Sequence, residues 1–229
     1  MKPLLLVPGF MADQTLWDDL LPYLPACAPV QYAHLNTGST IEAMARAVLA
    51  GAPAQCTLVG FSMGGYVARA IAHLAPARVT GLILVATSAR PDQPELVGQR
   101  IAAARQASVA AFHGLSRAAI RASLHAGRAD DTAMIERVRA MGARLGAGVF
   151  QQQSAVVRAG DVGTLADIAC PTLVITGAGD QLRSVAEGRE LADAIPGADF
   201  ALIEGAGHML PLEAPAALGA IMSSWLARR

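Results

Sequence analysis

Charge is scarce in this chain, and it cancels. Only 16% of the 229 residues are charged, and 18 basic residues balance 18 acidic ones. A neutral chain carries no electrostatic footprint for nucleic acid, so that class of partner is not expected, and a small or apolar substrate suits it better. Cysteine is nearly absent as well: Cys27, Cys56 and Cys170 form an odd trio without C-x-x-C spacing. That count fits neither a disulfide framework nor a zinc cluster, and buried free thiols are the expectation. No apolar run reaches the roughly 18 residues that a membrane span requires, so no membrane association is expected. The opening Met1-Lys2-Pro3-Leu4-Leu5-Leu6-Val7 stops at Pro8-Gly9, too short for the apolar core of a signal peptide, and no A-x-A cleavage site follows. It reads as a first strand, and a soluble, cytoplasmic protein is the default. There is no HExxH, no Walker A and no GxGxxG, so neither a metal nor a nucleotide cofactor is implied.

What the chain does have is apolar residues, 53% of the total, in a length that suits one well-buried core. The first half alternates strand-like and helix-like segments. Strands are expected over residues 3–7, 30–33, 57–61 and 81–86, and helices over 17–24, 41–50 and 63–74. Ser39, three residues before Glu42, is a candidate capping-box residue for the second of these helices. Strands return at residues 172–177 and 200–203, and a closing helix is expected over 214–227. Strand–helix–strand succession predicts an α/β fold, a mostly parallel sheet with helices on both faces. Residues 90–160 break the pattern. They hold no strand-like run and carry helical periodicity around Leu96 and Ile101, then Leu115, Ile120 and Leu124, then Met134 through Leu145.

Three motifs carry chemistry. The first is Thr57-Leu58-Val59-Gly60-Phe61-Ser62-Met63-Gly64-Gly65-Tyr66, a G-x-S-x-G sequence in strand–turn–helix context. A serine on so tight a turn needs small neighbours two residues either side, which Gly60 and Gly64 supply. The turn lifts the hydroxyl off the sheet and leaves the Met63 amide free to stabilise a developing oxyanion. The second motif is the apolar run from Thr172 through Gly177, which ends in a loop bearing Asp180. The third is Glu204-Gly205-Ala206-Gly207-His208, directly after a late strand. The order Ser62, Asp180, His208 is the one in which an α/β-hydrolase strings its triad along the chain.

On these motifs the chain resembles the compact bacterial-type α/β-hydrolases of the esterase and BioH/MenH-like group, over residues 3 to 87 and from about 165 onward. The resemblance implies a single α/β-hydrolase domain over residues 1–229, with a helical cap inserted at 90–160 above the strand ends. It implies Ser62 as nucleophile, His208 as its base and Asp180 as the acid that orients the imidazole. His34, His73, His113 and His125 lie in less suitable settings. The loop Thr87-Ser88-Ala89-Arg90, where some relatives carry the acid, offers none before Asp92, though Asp180 also fits the cap of a helix starting near Ser184. The second oxyanion amide falls on Phe10, in a loop with Pro8 where a histidine is common. Phe10, Met63, Leu182 and Met209 are expected as an apolar floor, and equally fit ordinary core. Phe112 and Leu115 are expected to line the acyl side of the pocket from the cap. Arg90, Arg100, Arg105, Arg117 and Arg121 fit a solvated helix face better than an acidic-substrate site. The activity implied is cofactor-free cleavage of a small carboxylic ester or thioester through an acyl-enzyme. The alternatives are a lyase or C–C bond hydrolase on the same triad, or a non-catalytic ligand-binding receptor.

Overall fold

Six short segments rich in leucine, valine and isoleucine form the strands of the computed structural model, which describes residues 2–106 and 111–229. They are β1 (Leu4–Val7), β2 (Val30–Tyr32), β3 (Cys56–Phe61), β4 (Val79–Val85), β5 (Thr172–Gly177) and β6 (Asp199–Ile203). All neighbours pair in parallel, in the order β2-β1-β3-β4-β5-β6. The helices are α1 (Ile41–Gly51), α2 (Met63–Leu74), α3 (Pro94–Gln106), α4 (Arg117–Arg121), α5 (Thr132–Ala155), α6 (Val185–Ala194), α7 (Leu210–Glu213) and α8 (Pro215–Leu226).

A parallel sheet buries both faces, and period-two alternation divides its side chains between two cores. Leu4, Leu6, Val59, Phe61, Ile83 and Val85 point to one side, where Leu218, Met222 and Trp225 of α8 cover them together with Trp17. Leu5, Val7, Leu58, Leu82, Leu84 and Val174 point to the other, under α1, α2 and α6. Among the described residues no helix is long and apolar enough to cross a membrane.

Several local expectations are corrected. The helix expected over residues 17–24 is instead a pair of 3-10 turns, Gln14–Trp17 and Leu21–Tyr23. Pro22 has no amide to continue a helix, and Asp13 fixes an earlier start by accepting from the Thr15 amide at 3.0 Å. Thr40, not Ser39, caps α1, accepting from the Ala43 amide at 3.0 Å. The capping box lies at α6, between Ser184 and Glu187. Cys56 is buried, but Cys27 is exposed and Cys170 only half-buried. Between β4 and β5 the described residues are helical and turn structure without a strand. Residues 107–110 of the expected cap lie outside the described residues. The second helix expected there shrinks to the five residues of α4, and the third, expected to Leu145, continues as α5 to Ala155 across a break at Gly146, whose φ of 81° leaves the helical region.

Candidate active site

The strand order places β1 and β3 side by side while the chain leaves them in opposite directions, β1 toward β2 and β3 toward β4. Such a switch point opens a crevice at the carboxyl ends of the strands. Four loops meet there: residues 8–11 after β1, Ser62 after β3, Asp180 after β5 and His208 after β6.

Ser62 sits at φ 51°, ψ −115°, between the last residue of β3 and the first of α2. A left-handed non-glycine residue costs of order 1–3 kcal/mol and persists only where its surroundings hold it. Here the Ser62 amide donates to the Val85 carbonyl at 2.9 Å, and the Ser62 carbonyl accepts from the Thr87 hydroxyl at 2.8 Å. The two flanking glycines have steric causes. A Cβ on Gly60 would stand 2.6 Å from the Gly64 carbonyl oxygen, and one on Gly64 would collide with the carbonyls of Val7 and Pro8. Gly64 therefore lets the start of α2 press against the loop after β1.

His208 is buried and touches both other members of the predicted trio. Its Nδ1 lies 2.8 Å from Asp180 Oδ2 and its Nε2 2.9 Å from Ser62 Oγ. With Nδ1 protonated and donating to the carboxylate, Nε2 is left to accept the serine proton. Asp180 is buried as well, and its Oδ1 accepts from the Leu182 and Arg183 amides at 2.8 Å each. It does not cap α6, because Ser184 does.

The amide of Met63, first in α2, is one of the donors that a helix start leaves unpaired. The Phe10 amide likewise donates no hydrogen bond among the described residues. The next amide, Met11, does: it donates to Gln153 Oε1 at 2.8 Å, while Gln153 Nε2 donates to the Leu35 carbonyl at 2.8 Å. Gln153 is buried and comes from the end of α5, so a helix beyond β4 holds the loop that carries Phe10 and Pro8. The sequence hides it, since Gln151-Gln152-Gln153 gives no sign of which amide turns inward.

Glu213 is a second residue that the motifs do not reveal. It is buried, and its carboxylate accepts from the amides of Gly207 at 3.2 Å and Met209 at 3.0 Å, on either side of His208. It also accepts from the His125 amide at 2.7 Å, and the His208 amide donates to the Ser123 carbonyl at 2.9 Å. The His208 loop is thus stitched to residues 123–125. The available signal was a lone acid inside the apolar run Met209-Leu210-Pro211-Leu212-Glu213-Ala214.

A cavity of about 720 Å³ opens over Ser62 and His208. Phe10, Met63, Leu115 and Met209 line it. Leu182 also lines it but is 46% exposed, so it stands at the rim rather than the floor. Phe112 does not reach the cavity. It stacks on Phe150 at 5.0 Å, and Phe150 packs on Phe10 at 5.9 Å, so Phe112 finds its apolar partner outside the pocket. Among the arginines, Arg117 and Arg121 are solvated and paired with Glu136 and Asp130, and Arg105 is exposed. Arg90 and Arg100 instead line the cavity. Arg100 donates to the Ser154 and Val156 carbonyls at 2.9 and 2.7 Å and pairs with Asp92. Burial alone would push the Asp92 carboxyl up; the hydrogen bond and charge of Arg158, then the Arg158 amide and Arg100, outweigh it and hold it below the usual carboxylate range. Among the described residues no group of three or more histidine, cysteine or acidic side chains could hold a metal ion.

Comparison with known proteins agrees with this architecture. Residues 7–215 match the model of the alpha/beta hydrolase fold. A pimeloyl-(acyl-carrier protein) methyl ester esterase of Aromatoleum aromaticum is 29% identical, over 90% of each chain. Its namesake from Neisseria meningitidis serogroup B is 30% identical, over 90% of this chain and 86% of its own. Among solved structures, a thermophilic esterase from Thermogutta terrifontis, bound to malate, aligns with a TM-score of 0.86 at 30% identity, covering 100% of this chain and 90% of that one.

Proposed function

The chain belongs to the α/β-hydrolase fold family, and from that premise we propose that it is a serine esterase that cleaves a small carboxylic ester or thioester through an acyl-enzyme. The observation that carries this is the unbroken hydrogen-bonded series Asp180–His208–Ser62, at 2.8 and 2.9 Å, beneath a largely apolar cavity. Ser62 Oγ attacks the ester carbonyl as His208 Nε2 takes its proton. The amides of Phe10 and Met63 receive the negative charge that develops on the carbonyl oxygen. His208 then gives its proton to the leaving alcohol or thiol. A water, deprotonated by the same imidazole, releases the acid and restores Ser62. Asp180 holds the imidazole with Nδ1 protonated and stabilises its charged form. The segment of residues 90–160 acts as the cap, since it supplies Leu115, Ile120 and Val138 to the cavity wall and sets what fits. The relatives named as methyl ester esterases support an acyl methyl ester as the first substrate to try.

The test is covalent labelling with a fluorophosphonate, followed by p-nitrophenyl esters of rising acyl length. Wild-type protein should label at Ser62 and turn over the short esters. Ser62→Ala should keep its fold, fail to label and lose about 10⁴-fold or more in kcat, leaving only binding and the oxyanion amides. Wild-type turnover in that variant removes Ser62 as nucleophile.

A further inference from the structure

The cavity holds more positive charge than the cleavage of an uncharged ester uses. Arg100, Arg158 and Arg183 line it, and the carboxylates of the same wall are Asp92 and Glu187. Asp92 is taken up between two of the arginines, 3.2 Å from Arg100 Nη2 and 2.5 Å from Arg158 Nη2. Glu187 is engaged at α6, where its Oε2 accepts from the Ser184 amide at 2.8 Å and the Ser184 hydroxyl at 3.1 Å. Its Oε1 stays 3.6 Å from Arg183 Nη1, beyond hydrogen-bond distance. Arg90 lines the cavity too, but pairs with the exposed Glu190. Three guanidinium groups therefore share two carboxylates, inside a chain whose total charge is zero.

Arg183 is the one without a hydrogen-bonded partner for its guanidinium among the described residues, although its side chain is only 17% exposed. Its guanidinium opens onto the cavity and is reached by water, so its donors stay available to a carboxylate that enters the site. The group is also well placed. Arg158 and Arg183 lie 5.7 and 6.0 Å from the centre of the Tyr66 ring. Tyr66 follows Ser62 by four residues on α2, about one helical turn or 6 Å along the axis. Burial, and then the positive charge of Arg158, hold the Arg100 guanidinium below its ordinary value, and Arg183 adds to the effect, so the three cations feel one another.

We propose that Arg183, backed by Arg158, forms a carboxylate subsite within the active-site cavity, and that the preferred substrate is a half-ester of a dicarboxylic acid. The ester carbonyl lies at Ser62, the methylene chain runs along the apolar wall, and the free carboxylate meets the planar fork of Arg183. One uncompensated positive charge matches one carboxylate. This rests on the esterase reading above and adds the substrate class to it.

The experiment compares kcat/KM for monomethyl esters of straight-chain dicarboxylic acids with that for the dimethyl esters of equal length. Wild-type protein should favour the half-ester by about 10–100-fold at the best length, the range of a charge-assisted hydrogen bond. The ratio should fall to about one in Arg183→Gln and recover in part in Arg183→Lys. Because both esters are read in the same enzyme, a general loss of fold or catalysis cancels from the ratio. No half-ester advantage at any length, or one that survives Arg183→Gln, overturns the subsite. If neither ester turns over, the esterase reading fails instead, and calorimetric titration of Ser62→Ala with the free dicarboxylates decides. Binding that the added Arg183→Gln change abolishes supports the subsite; no binding at millimolar concentration overturns it.

Discussion

Three non-glycine residues among those described hold left-handed backbone, Met11, Ser62 and Ala86, with φ near 50°. Each follows a strand at the carboxyl edge of the sheet, after β1, β3 and β4. At about 1–3 kcal/mol apiece the strain is comparable to what one buried aliphatic side chain contributes, and all three strands are lined with such residues. The sheet can hold these turns where a free loop would relax. His208 is fixed differently, through its neighbours' amides on the Glu213 carboxylate. Glu213→Gln sets an amide donor against backbone donors, so at least one of the three hydrogen bonds, two of them buried, is lost. We expect about 1–3 kcal/mol less stability, and kcat lower by about 10-fold or more with KM within about twofold. A merely structural role would lower Tm and leave kcat alone; that result on purified folded protein removes Glu213 as a positioning residue.

At the level of elements, α5 decides whether the loop after β1 keeps its shape. Its last turn places Gln153 between the Met11 amide and the Leu35 carbonyl, and Gln153→Ala orphans both. The expected result is a fall in kcat of about 10-fold or more, with fluorophosphonate labelling slowed alongside, because in the proposed mechanism both reactions place charge on an oxygen facing Phe10 and Met63. Unchanged labelling in a variant with lowered Tm would assign Gln153 to stability alone. This contact also marks where sequence reading stops. Strands β1, β3 and β5 were legible because buried parallel strands are continuous apolar runs, and α2 because Ser62 and Gly64 announce its start. The Ser62 and Asp180 positions were legible because each follows such a strand, and His208 because Gly205-Ala206-Gly207 precedes it just after the short run of the half-buried β6. The region from Pro94 to Ala155 was not legible in detail. Its apolar positions fix helical character but not which face meets the sheet, so Phe112 was expected inward and stacks on Phe150, while Arg100 was expected outward and lines the cavity. The third helical stretch reads as ending at Leu145, where α5 does break at Gly146; that it resumes as far as Ala155 was not legible, because Gly146 and Gly148 read as an end.

Across the whole molecule the scarce charges tie separate segments together. Asp13 and Asp19, in the loop after β1, meet Arg144 and Arg137 of α5. Asp161 meets the fully buried Arg69 of α2. Asp92 joins α3, through Arg100, to the chain that leaves α5, through Arg158. Exposed pairs of this kind contribute little, but the Asp92 carboxylate is 6% exposed and both of its partners are largely buried. Its pKa lies below the usual carboxylate value in the folded protein, so the folded state binds its proton less readily than the unfolded chain. The stabilisation is therefore complete above the unfolded pKa, near 4, and is lost as pH falls through the lower folded value. Asp13, lowered by Arg144 and Thr15 against the opposing effect of burial, acts in the same direction. We expect Tm to hold from about pH 7 to 5 and then to fall steeply below about pH 4. Asp92→Asn leaves two buried guanidinium groups without their shared anion, which should cost about 3–5 kcal/mol at pH 7, roughly 10 °C in Tm. Its Tm should then vary less with acid than that of the wild type, because a buried titrating contribution has been removed. Thermal unfolding followed by circular dichroism between pH 3 and 7 checks both statements. Parallel curves for the two proteins would assign the acid sensitivity to other carboxylates and leave Asp92 as an uncoupled pair.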